Sequence, residues 1–181
     1  MLSRDFKESI SIEVVSMTGA IAAGFVLASS LNLLELVPSL FILIPGFLEI
    51  QGSISSSVAS RLTAGLFLGA VKPNFKAQRI IVGNIVAGIV LSLMVSLFLG
   101  LMAYLFEFLF FNTRGFAIIF IPLLASAIAS PILILVTVVS SIWFFRKGFD
   151  PNNIMGPYIT TLGDIVGVMS LIFAVVLVIS I

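Results

Sequence analysis

The sequence predicts an all-α integral membrane protein with five transmembrane helices. Hydrophobic residues make up 60% of the 181 residues and charged residues only 9%, and the mean hydropathy is +1.29. Average soluble domains contain about 25% charged residues, so this composition argues strongly against a water-soluble fold. A membrane-spanning helix needs about 20 mainly apolar residues, and five stretches of sufficient length are separated by short polar connections.

The first predicted helix covers residues 10–34 and follows a short N-terminal segment, residues 1–9. The apolar stretch is too long for a signal-peptide core and lacks a clear cleavage site. We therefore expect the N-terminal segment to be retained on the cytoplasmic side, and residues 10–181 to form a single domain in the cell membrane.

The second predicted helix, residues 36–71, is far longer than one crossing needs. It contains Pro38, Pro45 and a polar run at residues 49–57, which together predict a long, broken helix. Irregular backbone at membrane depth is tolerated only where it is buried in protein or lines a wet cavity. We therefore expect the polar run to line a pore.

Three further helices complete the predicted domain, at residues 80–108, 116–145 and 154–181. Pro122 and Pro131 fall inside the fourth and favour a kink there. Five crossings place the two termini on opposite sides of the membrane.

The basic residues predict the orientation. With the N-terminus inside, only Arg114 lies in an outer loop, and the positive-inside rule therefore favours N-in and C-out. The basic residues on the cytoplasmic side are then Arg4, Lys7, Lys72, Lys76, Arg79, Arg146 and Lys147.

The chain contains no cysteine and no histidine, which excludes disulfides, thiolate chemistry and the usual zinc or copper ligands. Any bound metal must take oxygen ligands, which suit hard cations such as Mg²⁺, Ca²⁺ and Mn²⁺. Every lysine falls in a terminus or loop, so no Ser–Lys catalytic pair is expected and we predict no enzyme. The basic residues are scattered, which argues against a nucleic-acid partner.

Asp164 is the main indication of function, because it lies inside an otherwise apolar segment, residues 157–181. An ionised Asp at the centre of a spanning helix costs about 2.5 to 3.5 kcal/mol, so it normally faces a partner, a cavity or an ion. Residues three and four positions apart share a helix face. The resulting polar or small stripe predicts a cation site and consists of Gly156, Thr160, Thr161, Asp164 and Gly167.

Other interpretations of these residues stay open. Gly163 and Gly167 form a G-x-x-x-G pair, which is typical of a helix-packing face, and Asp164 could form a buried ion pair with Arg61. The polar run of the second helix fits either small-residue packing near the membrane interface or a hydrated vestibule that faces Asp164. The polar side chains of this run are Glu49, Gln51, Ser53, Ser55, Ser56 and Ser57, and the pore-lining candidates are Glu49, Gly52, Ser53, Ser56 and Gly167. No internal repeat is present, so a two-fold pore requires a homodimer.

Two stretches carry recognisable motifs. The last helix carries Asp150-Pro151-Asn152-Asn153, Gly156-Pro157, Thr160-Thr161, Asp164 and Gly167, and the second carries Pro45-Gly46, Gly52, Ser60-Arg61-Leu62 and Gly69. In these motifs the chain resembles the MgtE-type magnesium transporters and their eukaryotic solute-carrier relatives. The resemblance implies a homodimeric, five-helix domain whose second and fifth helices line a pore for Mg²⁺, with Mn²⁺ or Co²⁺ as further candidates, and no organic cofactor.

On this resemblance Asp164 holds a hydrated ion, with Thr160, Thr161 and Gly156 as further metal-site candidates, and Arg61 has a structural role. The family's G-N dipeptide reads Gly52-Ser53 here. Bacterial members carry a large cytoplasmic regulatory region before the first helix, whereas about nine residues precede it here. We therefore expect gating by the short loops or by a separate regulatory subunit.

Three functions follow as hypotheses. The first is a divalent-cation channel or transporter in which two Asp164 side chains bind hydrated Mg²⁺. The second is a sodium- or proton-coupled exchanger that uses the same carboxylate. The third is a non-transporting membrane scaffold, which predicts that Asp164 is bonded to Arg61.

Overall fold

The computed structural model describes residues 4–35, 40–111 and 115–179, and the regular elements in these ranges are all α-helices. Five of them are long and apolar enough to span a membrane, which confirms the predicted fold class. The sixth, α2, is a single turn. In order the helices are α1 (Arg4–Ser29), α2 (Leu31–Leu34), α3 (Leu40–Phe67), α4 (Arg79–Phe111), α5 (Ala117–Arg146) and α6 (Pro151–Ile179).

The predicted break in the second spanning helix is not confirmed, because α3 runs without interruption through the polar run at residues 49–57. Pro45 is only the sixth residue of α3, so its missing N–H removes one bond, to the carbonyl of Phe41, near the helix start. The other proline of that prediction, Pro38, lies outside the described residues. Helix α5 likewise runs as one helix through Pro122 and Pro131.

Local chemistry sets two of the helix ends. Gly69 follows α3 with a φ of 71°, a left-handed conformation that glycine adopts without steric cost, and the amide of Val71 donates to the Gly65 carbonyl at 2.9 Å. Helix α6 starts with Pro151, and the Asp150 carboxylate accepts a hydrogen bond from the Asn152 amide at 2.9 Å. An Asp cap followed by proline is typical of a helix start.

Helix α5 lies at the centre of the bundle, where it packs against α3, α4 and α6, and α1 packs against α6. Small residues allow close approach: a Cβ on Gly100 of α4 would lie 2.7 Å from the Ile119 carbonyl oxygen of α5. The largest buried cluster joins four helices and contains Leu40, Leu43, Ile44, Phe47, Ala103, Ile118, Ile121, Ala125, Leu171, Ala174 and Val175.

Basic side chains collect at one end of the bundle. The Arg146 guanidinium lies 5.5 Å from the centre of the Phe75 ring, which joins the end of α5 to the loop between α3 and α4. Lys7 of α1 lines a cavity with Phe144 and Phe149 at the same end. The side of the membrane on which this basic end lies stays a prediction.

Candidate cation site

A groove of about 520 Å³ lies between α3 and α6. Its polar lining comes from both helices, and no residue of α4 or α5 contributes. The lining residues are Pro45, Leu48, Glu49, Gly52, Ser53, Ser56, Thr160 and Asp164. The structure thus brings Asp164 and Thr160 of the last helix together with Glu49, Gly52, Ser53 and Ser56 of the second helix. The prediction that the whole polar run lines a pore is not confirmed, because Gln51 and Ser55 are buried and do not line the groove.

Asp164 lies near the middle of α6 and about 20 Å from its first residue, at 1.5 Å per residue. The side chain is half-buried, and within the described residues no hydrogen bond or ion pair reaches its carboxylate. Arg61 is exposed and donates a hydrogen bond to the Ser57 hydroxyl at 3.0 Å. The ion pair that the scaffold hypothesis requires is therefore not formed in the described chain.

The two adjacent threonines face different neighbours. The Thr160 hydroxyl lines the groove and donates to the Gly156 carbonyl at 2.9 Å, which leaves its oxygen lone pairs available to a cation. Thr161 is buried against α1, where its hydroxyl contacts the Ser16 hydroxyl and lies 3.3 Å from the Ser16 carbonyl oxygen. Thr161 therefore joins α1 to α6 and does not line the groove.

The glycines of α6 also differ in their surroundings. A Cβ on Gly163 would lie 3.3 Å from the Gly52 Cα, so these two glycines let the α3 and α6 backbones approach closely. A Cβ on Gly167 would lie 2.8 Å from Leu48 of α3, which makes Gly167 a packing residue here. At Gly156 no heavy atom lies within 4 Å of an added Cβ.

A second cavity of about 140 Å³ continues the groove toward the basic end. It shares Ser56 with the groove and adds Ser60, Thr63, Asn152 and Gly156, among others. The sequence analysis did not single out Ser60, Thr63 or Asn152 as site residues. Ser60 and Asn152 could have been found from the sequence, because the spacing of four residues continues from Ser56 to Ser60 and from Gly156 back to Asn152.

The described residues contain no group of three or more His, Cys, Asp or Glu side chains that could hold a metal ion. The groove offers two carboxylates, on Glu49 and Asp164, together with hydroxyls. Such a sparse oxygen set suits an ion that keeps much of its water shell, as Mg²⁺ does in proteins.

Gln51, which the sequence predicts in the pore wall, belongs instead to a buried polar network behind the groove, and Ser92 and Ser126 of that network were not predicted. The Gln51 amide lies 3.3 Å from the Ser126 hydroxyl of α5 and 3.3 Å from the Ser92 hydroxyl of α4, and the two hydroxyls lie 2.8 Å apart. Gln51 is about 200° around α3 from Glu49, at 100° per residue. The network therefore fixes the face of α3 that turns away from the groove.

The profile of the MgtE family, described as divalent cation transporter, matches residues 44–174. A comparison with curated proteins finds no match. The matched residues include α3 from its fifth residue, α4, α5 and most of α6. They therefore contain every residue that lines the α3–α6 groove. Because the match covers more than half of the chain, the protein belongs to the MgtE family of divalent cation transporters and is a multi-pass membrane protein.

Proposed function

We propose that the protein moves hydrated Mg²⁺ across the membrane through a homodimeric pore lined by α3 and α6. The observation that carries this proposal is Asp164: a half-buried carboxylate at mid-helix, in a polar groove, with no hydrogen bond or ion pair within the described residues. A carboxylate placed in this way at membrane depth is stabilised best by a cation or by water.

The open groove supports a dimer. Glu49, Ser53 and Thr160 are exposed on the α3–α6 face of one chain, and a face of this polarity would be costly in contact with lipid tails. A second copy related by a two-fold axis covers the face and brings a second Asp164 to the same path. The two grooves then become one conduit.

The dimensions and chemistry of the groove suit a hydrated ion. Six waters occupy roughly 180 Å³ at about 30 Å³ each, and the groove of one chain measures about 520 Å³. Mg²⁺ binds oxygen ligands and releases its waters reluctantly, so Asp164 and Thr160 would contact the ion through or beside its water shell. Mn²⁺ and Co²⁺ are further candidate substrates on the same chemistry.

The first test is Asp164→Asn in the full chain reconstituted in liposomes, with Mg²⁺ influx followed by an enclosed fluorescent indicator. We expect influx to fall by at least about tenfold, because removing a charged contact to the ion loses roughly 1.5 to 3 kcal/mol. Glu13→Gln makes the same carboxylate-to-amide change at an exposed site on α1, and it should leave influx unchanged. Influx at the unsubstituted rate in Asp164→Asn contradicts the proposal.

The second candidate, a coupled exchanger, is favoured by the presence of two carboxylates in one groove, since each can also bind a proton or Na⁺. The same liposomes distinguish it. Influx that requires an imposed sodium or pH gradient identifies coupling, whereas influx driven by the Mg²⁺ gradient and membrane potential alone identifies conduction.

A further inference from the structure

A crevice of about 240 Å³ lies between α4 and α5 near the basic end of the bundle. Its walls are apolar, and its end is formed by Phe75, Lys76 and Ala77 of the loop between α3 and α4. Lys76 therefore places one basic side chain at the end of an otherwise apolar crevice. The wall residues are Ile81, Val82, Ile85, Leu135, Val138, Val139 and Ile142.

A polar pocket of about 320 Å³ adjoins this crevice and is lined by Trp143, Arg146 and Lys147. Arg146 connects the two, because its guanidinium lies 5.5 Å from the centre of the Phe75 ring. Along α5, Arg146 follows Val139 by seven residues, which places the two within about 20° on the helix surface. The basic pocket is thus the continuation of the apolar crevice along one face of α5.

We propose that the crevice and the pocket together bind one anionic phospholipid. An acyl chain occupies the crevice, and the headgroup phosphate lies among Lys76, Arg146 and Lys147. No acidic residue lines either cavity, so the charge of the site complements a phosphate. Basic pockets between spanning helices are a recurrent way of binding such headgroups.

The apolar crevice is what distinguishes this site from general surface charge. Basic residues in the last turn of a helix are favoured by the helix dipole alone, so Arg146 and Lys147 by themselves would not indicate a ligand. An apolar crevice of about 240 Å³ that is lined by Lys76 and Phe75, with Arg146 lying over the Phe75 ring, does indicate one. Bound there, the lipid would hold the α3–α4 loop against α5.

Native mass spectrometry of the full chain in detergent micelles tests the proposal, with phosphatidylglycerol and phosphatidylcholine of identical chains as the two probes. We expect phosphatidylglycerol to bind more tightly, and Arg146→Gln to weaken it about fivefold, the loss typical of one cation near a membrane surface. Arg79→Gln is the matched control, because Arg79 is exposed at the start of α4 and lines neither cavity.

A second pair of variants tests the crevice. Val139→Phe should fill it and weaken phosphatidylglycerol binding, whereas Val90→Phe adds the same bulk to α4 outside the crevice and should not. The two valines are similarly exposed, at 51% and 47%. If Arg146→Gln fails to fold because it loses its contact with Phe75, Lys147→Gln also removes one positive charge from the pocket and tests whether that charge strengthens lipid binding.

Three results would overturn the proposal. Equal binding of the two lipids would show no preference for an anionic headgroup. Equal weakening by Arg79→Gln and Arg146→Gln would show diffuse attraction by the whole basic end. Displacement of the lipid by glycerol phosphate at similar concentration would show a phosphate site that makes no use of the acyl chain.

Discussion

Thr160 and Thr161 are neighbours in sequence with different structural roles. Both lie within about 60° of Asp164 around the helix, but on opposite sides of it, so that they are about 100° from each other. The structure directs Thr160 into the groove and Thr161 toward Ser16 of α1. A stripe predicted from spacing alone cannot separate the two, because it does not reveal which neighbouring helix lies on which side.

Substitution of each threonine by valine should separate transport from stability. Thr160→Val removes a candidate ion contact, and we expect Mg²⁺ influx into liposomes to fall about tenfold, or roughly 1.5 kcal/mol, with little change in thermal stability. Thr161→Val removes hydrogen bonds between α1 and α6 and should cost about 1 kcal/mol of stability while influx per folded protein is kept. The reverse pattern would assign the ion contact to Thr161.

A single site residue could be predicted from the sequence where placing its side chain in the membrane costs much free energy. Asp164 stands out in an apolar segment because a membrane carboxylate is expensive. Ser92 and Ser126 do not stand out, since a serine in a spanning helix is common, and Gln51 is placed in the pore wall by the sequence because its partners lie 41 and 75 positions away. Recognising their network requires knowledge of which helices touch.

At the scale of elements, the spanning helices were predictable and the continuity of α3 was not. Prolines, glycines and serines in the second helix predict a break from local propensity. Packing overrides that propensity: Gly52 lies against Gly163 and Thr160 of α6, and Gln51 bonds to α4 and α5. The small residues that weaken an isolated helix are therefore the ones that let α3 pack closely.

Two glycine substitutions in α6 test this interpretation. Gly163→Leu places a side chain 3.3 Å or less from the Gly52 backbone, and we expect a loss of about 1 to 3 kcal/mol of stability from overpacking, measured by thermal unfolding in micelles. Gly156→Ala meets open space and should keep or raise stability, since alanine favours helix by about 1 kcal/mol. Equal stability in the two variants would contradict the close α3–α6 packing.

At the scale of the whole molecule, the bundle has two kinds of exposed face. Helix α4 exposes large apolar side chains, among them Met94 and Phe98, as expected for contact with lipid. The α3–α6 face instead exposes Glu49, Ser53 and Thr160. This contrast indicates that the second face is covered by something other than lipid tails, and a second copy of the chain is the cover that we propose.

Because the chain contains no cysteine, single introduced cysteines can locate the dimer interface without background. We expect Ser53→Cys to give covalent dimers with a short bis-maleimide in membranes, since two grooves facing one axis bring the two copies of residue 53 together. Met94→Cys, on the apolar face and 60% exposed, should give no covalent dimer. Cross-linking through residue 94 but not residue 53 would place the two-fold axis at α4, which would leave the polar groove facing lipid and refute the shared pore.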